Sequence, residues 1–179
     1  MSHHFYHVAV FSIVLVLSVS AWGGDPVREL TSYTNQEKKF SLRLPRDWER
    51  KENLMGSAVV AIGPQGKSSE DFRENINVVV EDLPNAMTSK EYFDVSLKVL
   101  KRLFTDFQLE KSGSLKLNQK DAYWVVFTHR MGKVKAKVLQ YMLVDGLKAY
   151  VITSSSAPQK FSKYQHLFEE VAKSFSLSK

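Results

Sequence analysis

The sequence predicts an α+β domain in which an antiparallel-rich β-sheet is covered by helices on both faces. Three observations carry that expectation. Residues 123–152 show period-two apolar alternation interrupted by two glycine turns. Taken as hairpins, the runs place apolar side chains on both sheet faces, so neither face can stay in water. Two stretches with apolar residues at helical spacing flank this block and supply the covering stripes.

The 179 residues hold 44% hydrophobic and 25% charged positions, which suits one globular domain with a real core rather than a disordered chain. There is no cysteine. Disulfides, thiolate zinc sites, iron–sulfur clusters and thiol nucleophiles are therefore all excluded.

The chain opens with an uncharged run from Val8 to Ala21, about 14 residues against the ~20 that span a bilayer. Small residues close it at Val19-Ser20-Ala21. This reads as a cleaved secretory signal over residues 1–21, followed by a linker over 22–32 and a single domain over 33–179. An uncleaved anchor is the competing reading. The leading stretch carries His3, His4 and His7 where Lys or Arg is usual. A metal role for them is discounted, because a segment removed on export cannot serve the mature protein. A lipid anchor would need a cysteine. The expected location is the periplasm or another exported compartment.

Phe40, Leu42 and Leu44 alternate with polar residues as a strand that Pro45 stops. Trp48 reads as a core anchor beyond the turn. Ala58 to Ile62 and Asn75 to Leu83 read as further strands, with Gly63 to Arg73 as a surface loop between them. Thr88-Ser89-Lys90-Glu91 fits a capping box. The helix it starts carries Phe93, Leu97, Leu100, Phe104 and Phe107 on one stripe, with Lys98, Lys101 and Arg102 off it.

Two hairpin turns are expected, at Gly132-Lys133 and Asp145-Gly146, so that Met131 faces Val134 and Val144 faces Leu147. Tyr123, Val125, Phe127, Val138, Met142, Ala149 and Val151 then share one face. Trp124, Val126, Leu139, Tyr141, Tyr150 and Ile152 share the other. A second helix begins near Ser156-Ala157-Pro158-Gln159, with the serines as its cap, and its stripe is Phe161, Tyr164, Phe168, Val171 and Phe175.

The same register places Arg130 opposite Lys135, with Lys137, Thr128 and Ser154 on their face. Like charges directly opposite cost roughly 0.2–1 kcal/mol, so the cluster is either solvated or matched by an anion. Arg130, Lys135 and Lys137 are thus the candidate face for an acidic partner or an anionic headgroup, in keeping with the formal net charge of +6. Nucleic acid is not expected outside the cytoplasm.

His129 and His166 have no second ligand at metal spacing, and Glu70-Asp71-x-x-Glu74 lacks the spacing and glycine of a calcium loop. No metal and no cofactor are expected. The hydrolase, P-loop and dinucleotide motifs are missing, so a non-enzymatic role is expected.

The stretches FSLRLPRDW, ENINVVVEDLP, DAYWVVFTHR, DGLKAYVITSSSAP and KYQHLFEEVAKSF, in this order, resemble the PsbP-like superfamily, which includes DcrB-like envelope proteins. The resemblance spans residues 33–177 and is best to the bacterial envelope branch. It implies a sheet sandwiched by helices and an accessory or binding role at a membrane surface. It carries over no site residues, and a photosystem II oxygen-evolving-complex-like role is an outlier. The expected function is docking on an envelope or membrane-associated complex with an acidic face. The alternative is a small-ligand carrier with a pocket between sheet and helix, bordered by Trp124, Tyr141 or Tyr150.

Overall fold

The computed structural model describes residues 29–65 and 72–178. The expected signal over residues 1–21 lies outside them, as do Glu70 and Asp71. Ten strands and two helices follow in order: β1 (Leu30–Asn35), β2 (Phe40–Pro45), β3 (Glu49–Leu54), β4 (Ser57–Ile62), β5 (Asn75–Asp82), α1 (Ser89–Leu103), β6 (Thr105–Leu117), β7 (Lys120–Met131), β8 (Val134–Asp145), β9 (Lys148–Ser156), α2 (Phe161–Lys173) and β10 (Ser176–Leu177). A seven-stranded antiparallel sheet runs β3-β4-β5-β9-β8-β7-β6, and a small sheet runs β1-β2-β10. The domain begins earlier than expected, because β1 starts at Leu30, within the stretch read as linker.

The two faces of the large sheet carry separate cores. Tyr92, Phe93 and Leu100 of α1 pack with Val125, Phe127, Val138, Met142 and Val151. Phe161, Tyr164, Phe168 and Val171 of α2 pack with Val126, Leu139, Tyr141 and Ile152. Helix α2 does not cover its face alone. Phe40, Leu42 and Leu44 of β2 share that core, so the small sheet completes the layer.

Four strands are additions to the expected set: β1, β3, β6 and the two-residue β10. β3 and β6 are mostly exposed, with β6 showing only Leu117 buried, and β1 and β10 have no fully buried residue. A strand wetted on both faces has no apolar alternation to announce it. The first helix is also shorter than its stripe. It ends at Leu103, with Phe104 extended at its C-cap, and Phe107 belongs to β6. Phe107 nonetheless stacks on Phe127 at 5.0 Å, because β6 returns it to the same core. The capping box is present in both directions: Glu91 N donates to Thr88 Oγ1 at 3.2 Å, and Thr88 N donates to Glu91 Oε2 at 2.8 Å.

Met131 pairs with Val134 as expected. The next turn is offset. Asp145 pairs with Lys148, so Gly146 and Leu147 form the turn and Val144 faces Ala149. Of these residues only Gly146 takes positive φ, at 59°, which suits a turn needing that conformation at its first central position alone. The change moves each partner by two residues, and a period of two leaves both face assignments intact. The serines before α2 are not its cap. Ser154, Ser155 and Ser156 end β9 as buried strand residues, and a 3-10 turn at Pro158–Lys160 leads into the helix.

Gly113 of β6 lies opposite Trp124 of β7. A Cβ placed there would sit 2.8 Å from Trp124 Cζ2, so the bare backbone makes room for the indole. Gly113→Val is expected to displace Trp124 and destabilise the domain by about 1–3 kcal/mol. A lower denaturation midpoint with altered tryptophan fluorescence is the readout, and an unchanged midpoint would refute the steric argument.

Candidate functional site

The expected register holds at the basic cluster, where Arg130 lies opposite Lys135. The cluster itself is divided. Arg130 Nε donates to Asp106 Oδ2 at 2.8 Å, and Lys137 Nζ lies 2.6 Å from Glu110 Oε2. Lys137 also sits 4.8 Å above the Phe161 ring. Both carboxylates come from β6, the strand that the apolar pattern does not reveal. Asp106 adopts a positive φ of 55° where the β6 register shifts. Aspartate tolerates that conformation better than most residues. The anion that matches two of these cations is thus supplied by the chain. Lys135 is exposed and has no ion-pair partner among the described residues.

Thr105, just after α1, pairs with Arg130, which brings the end of α1 beside the β7–β8 turn. Lys101 and Arg102 lie in the last helical turn, and Lys133 and Lys135 lie at the hairpin; all four are exposed. Leu103, Leu109 and Met131 at this end are 61%, 41% and 40% exposed, three of the five large apolar side chains left in solvent among the described residues. Exposed cations and exposed apolar side chains at one end of the sheet suit an amphipathic, acidic surface better than water alone.

Near that end lies a small recess, with room for about one water-sized group and a mouth open to solvent, lined by Leu100, Phe104, Phe127, His129, Val138, Gln140 and Thr153. This pocket between sheet and helix is on the α1 face. The expected border residues are on the other face: Tyr141 and Tyr150 are 5% and 2% exposed and belong to the core shared with α2. Burial, with a contribution from the Glu169 charge, pushes the Tyr141 hydroxyl up to about 12. Tyr150 donates to the Lys38 carbonyl at 3.1 Å. Neither tyrosine is available to a ligand.

The recess has a polar floor. Gln140 lies between Val125 and Thr153 in the ladder and donates through Nε2 to Thr153 Oγ1 at 2.9 Å. Its Oε1 has no hydrogen-bond partner among the described residues. His129 is 1% exposed and stacks on Phe104, with centroids 4.0 Å apart and planes 30° apart. Neither of its ring nitrogens reaches hydrogen-bond geometry with a described group. Nothing in the sequence signals this, because a lone histidine on an apolar face reads as packing.

Burial lowers the His129 pKa below its ordinary value, with the adjacent Arg130 backbone opposing in part. The imidazole is therefore neutral in the fold, while the unfolded chain protonates near 6.5. Between that value and the depressed folded value, the unfolded state binds more protons, so stability falls as pH drops through this window. His129→Phe is expected to flatten that loss, read as the unfolding midpoint against pH from neutrality downward. A variant with the same acid slope as the parent would exclude His129 as its source.

Among the described residues no group of three or more His, Asp or Glu is placed to hold a metal ion. His166 is on α2 and exposed, 3.7 Å from Glu170, on the opposite side of the sheet from His129. His129 and His166 do not converge.

The PsbP family profile matches residues 28–177. No curated protein matches the chain. Among solved structures, it is similar to the cyanobacterial PsbP protein CyanoP from Synechocystis sp. PCC 6803 at 16% identity and a TM-score of 0.61, covering 89% of this chain and 98% of that one. LpqN, involved in cell envelope biogenesis of Mycobacterium tuberculosis, is 14% identical with a TM-score of 0.64, covering 87% of each chain. The Ran-binding protein Mog1p of Saccharomyces cerevisiae is 10% identical with a TM-score of 0.58, covering 84% of this chain and 96% of its own. Identities this low speak for a shared fold alone.

Proposed function

The chain belongs to the PsbP family, and from that premise we propose that it is an exported, non-enzymatic accessory protein that docks on a membrane-associated envelope complex. The observation that carries the reading is the exposed end of the sheet. There Lys101, Arg102, Lys133 and Lys135 are exposed at the same end of the sheet as the exposed Leu103 and Met131, with Lys135 on the face of Arg130 and Lys137, which are ion-paired within the chain. Exposed cations without an ion pair among the described residues, at the same end as exposed apolar groups, match a partner surface that is both acidic and apolar. The proposal narrows the expected face from Arg130, Lys135 and Lys137 to Lys135 and the lysine and arginine side chains around it.

Export is supported by the uncharged run over Val8 to Ala21 and by the fold shared with LpqN. No described helix is long and apolar enough to cross a membrane. The expected sandwich, with helices on both faces of the sheet, is also supported by the two separate helix-facing cores.

The test is association with native envelope extract, comparing the parent with a Lys133→Glu, Lys135→Glu variant. Both side chains are exposed, so the fold is expected to be unaffected. Capture of a partner by the parent should weaken in the variant and between 0.1 M and 1 M salt, where the screening length falls from about 10 Å to about 3 Å. Capture that is indifferent to both changes would overturn the docking face.

A further inference from the structure

We propose that the recess under the end of α1 is a binding site for a neutral, hydroxyl-bearing apolar molecule, with its hydroxyl between His129 and Gln140 and its body against Phe104 and Phe127. This goes beyond the docking role and rests on a different set of atoms.

The polar inventory of the floor selects the headgroup. A neutral imidazole offers one N–H donor and one acceptor nitrogen; neither reaches full hydrogen-bond geometry with a described group, and the Arg130 backbone is the polar group beside them. The Gln140 amide is committed to Thr153, which leaves its carbonyl as a second acceptor. One donor and two acceptors in an apolar frame complement a hydroxyl, which can give one hydrogen bond and accept others. A carboxylate fits poorly: it would meet the Gln140 carbonyl, and the nearby Arg130 is turned to Asp106. An ammonium would find no carboxylate among the lining residues.

The walls select the body. Leu100, Phe104, Phe127 and Val138 are apolar, and the aromatic pair Phe104–Phe127 is stacked with centroids 6.1 Å apart. The enclosed depth admits about one water-sized group, and the remaining space opens outward. A small polar head therefore enters, while a flat or aliphatic body lies in the mouth beside the half-buried Phe104. An ordered water alone is the competing occupant, because a site of this depth with polar partners is where buried water collects.

Phenol and toluene differ by the hydroxyl in question, so they separate the two occupants. Each is titrated into the intact protein, following the His129 ring resonances and the thermal midpoint, with His166 as an internal reference. The expected result is a raised midpoint and His129 shifts with phenol, with toluene weaker by about tenfold, the worth of one buried hydrogen bond. Gln140→Met and His129→Phe should each abolish the preference for phenol. If His129→Phe does not fold, Gln140→Met decides alone. Equal responses to the two probes, no response to phenol, or a preference that survives Gln140→Met would each overturn the proposal. Because Lys133 and Lys135 are untouched, failure here is distinguishable from failure of the docking face.

Discussion

Phe40→Ala is expected to destabilise the protein by about 3–5 kcal/mol, the range for emptying a buried phenylalanine site. Phe40 has no exposed surface and sits where three layers meet. Its ring stacks on Phe175 at 5.7 Å and meets Tyr150 edge-on at 6.3 Å. Its backbone pairs with Asn35 of β1 and Leu177 of β10. The side chain thus fixes the small sheet to the core beneath α2, and neighbours held by separate ladders cannot collapse into the gap. Against a total stability of roughly 5–15 kcal/mol, such a loss approaches global unfolding. Urea denaturation of the variant checks it, with Leu109→Ala on the surface as a control expected within about 0.5 kcal/mol of the parent. A loss below about 1 kcal/mol at Phe40 would mean that the small sheet contributes little to the core.

Lys160→Met is expected to cost about 3 kcal/mol, because it strands a buried carboxylate. Glu74 is 3% exposed, and its Oε1 accepts no hydrogen bond from a described group. The compensation shown is the Lys160 ammonium, 3.6 Å away in the turn before α2. Removing the cation leaves a charge that the interior solvates badly. Adding Glu74→Gln to Lys160→Met should recover most of the loss, since a neutral amide is far cheaper to bury. Chemical denaturation of the single and double variants gives the coupling directly. A single variant as stable as the parent would show that Glu74 is solvated without its partner.

What could be read from the sequence follows from which residues are buried. The alternation from Tyr123 to Ile152 exists because both faces of β7, β8 and β9 are covered, and it yields the faces even though the second turn is displaced by one residue. The stripe Phe161, Tyr164, Phe168 and Val171 is visible for the same reason. β6 is concealed because most of its side chains are wet, and the two carboxylates that divide the basic cluster are concealed with it. Phe107 continued the helical spacing by coincidence, since a strand leaving α1 returned it to the same core. The recess has no sequence signature. Its meaning lies in hydrogen bonds that His129 and Gln140 do not make, and residue type alone cannot display a missing partner.

The strand order also bears on how the chain acquires its structure. Every neighbouring pair in the large sheet is also consecutive in the chain except β5 and β9, which bring Asp82 beside Lys148 across the whole of α1, β6, β7 and β8. β3 to β5 form one local meander, and β6 to β9 form another. Closing a long loop carries an entropic penalty that the contacts across the β5–β9 seam recover only once both sides exist. The seam, from Asn75 opposite Ser155 to Asp82 opposite Lys148, is therefore the topological bottleneck of folding, and the two meanders are units that can assemble before it closes.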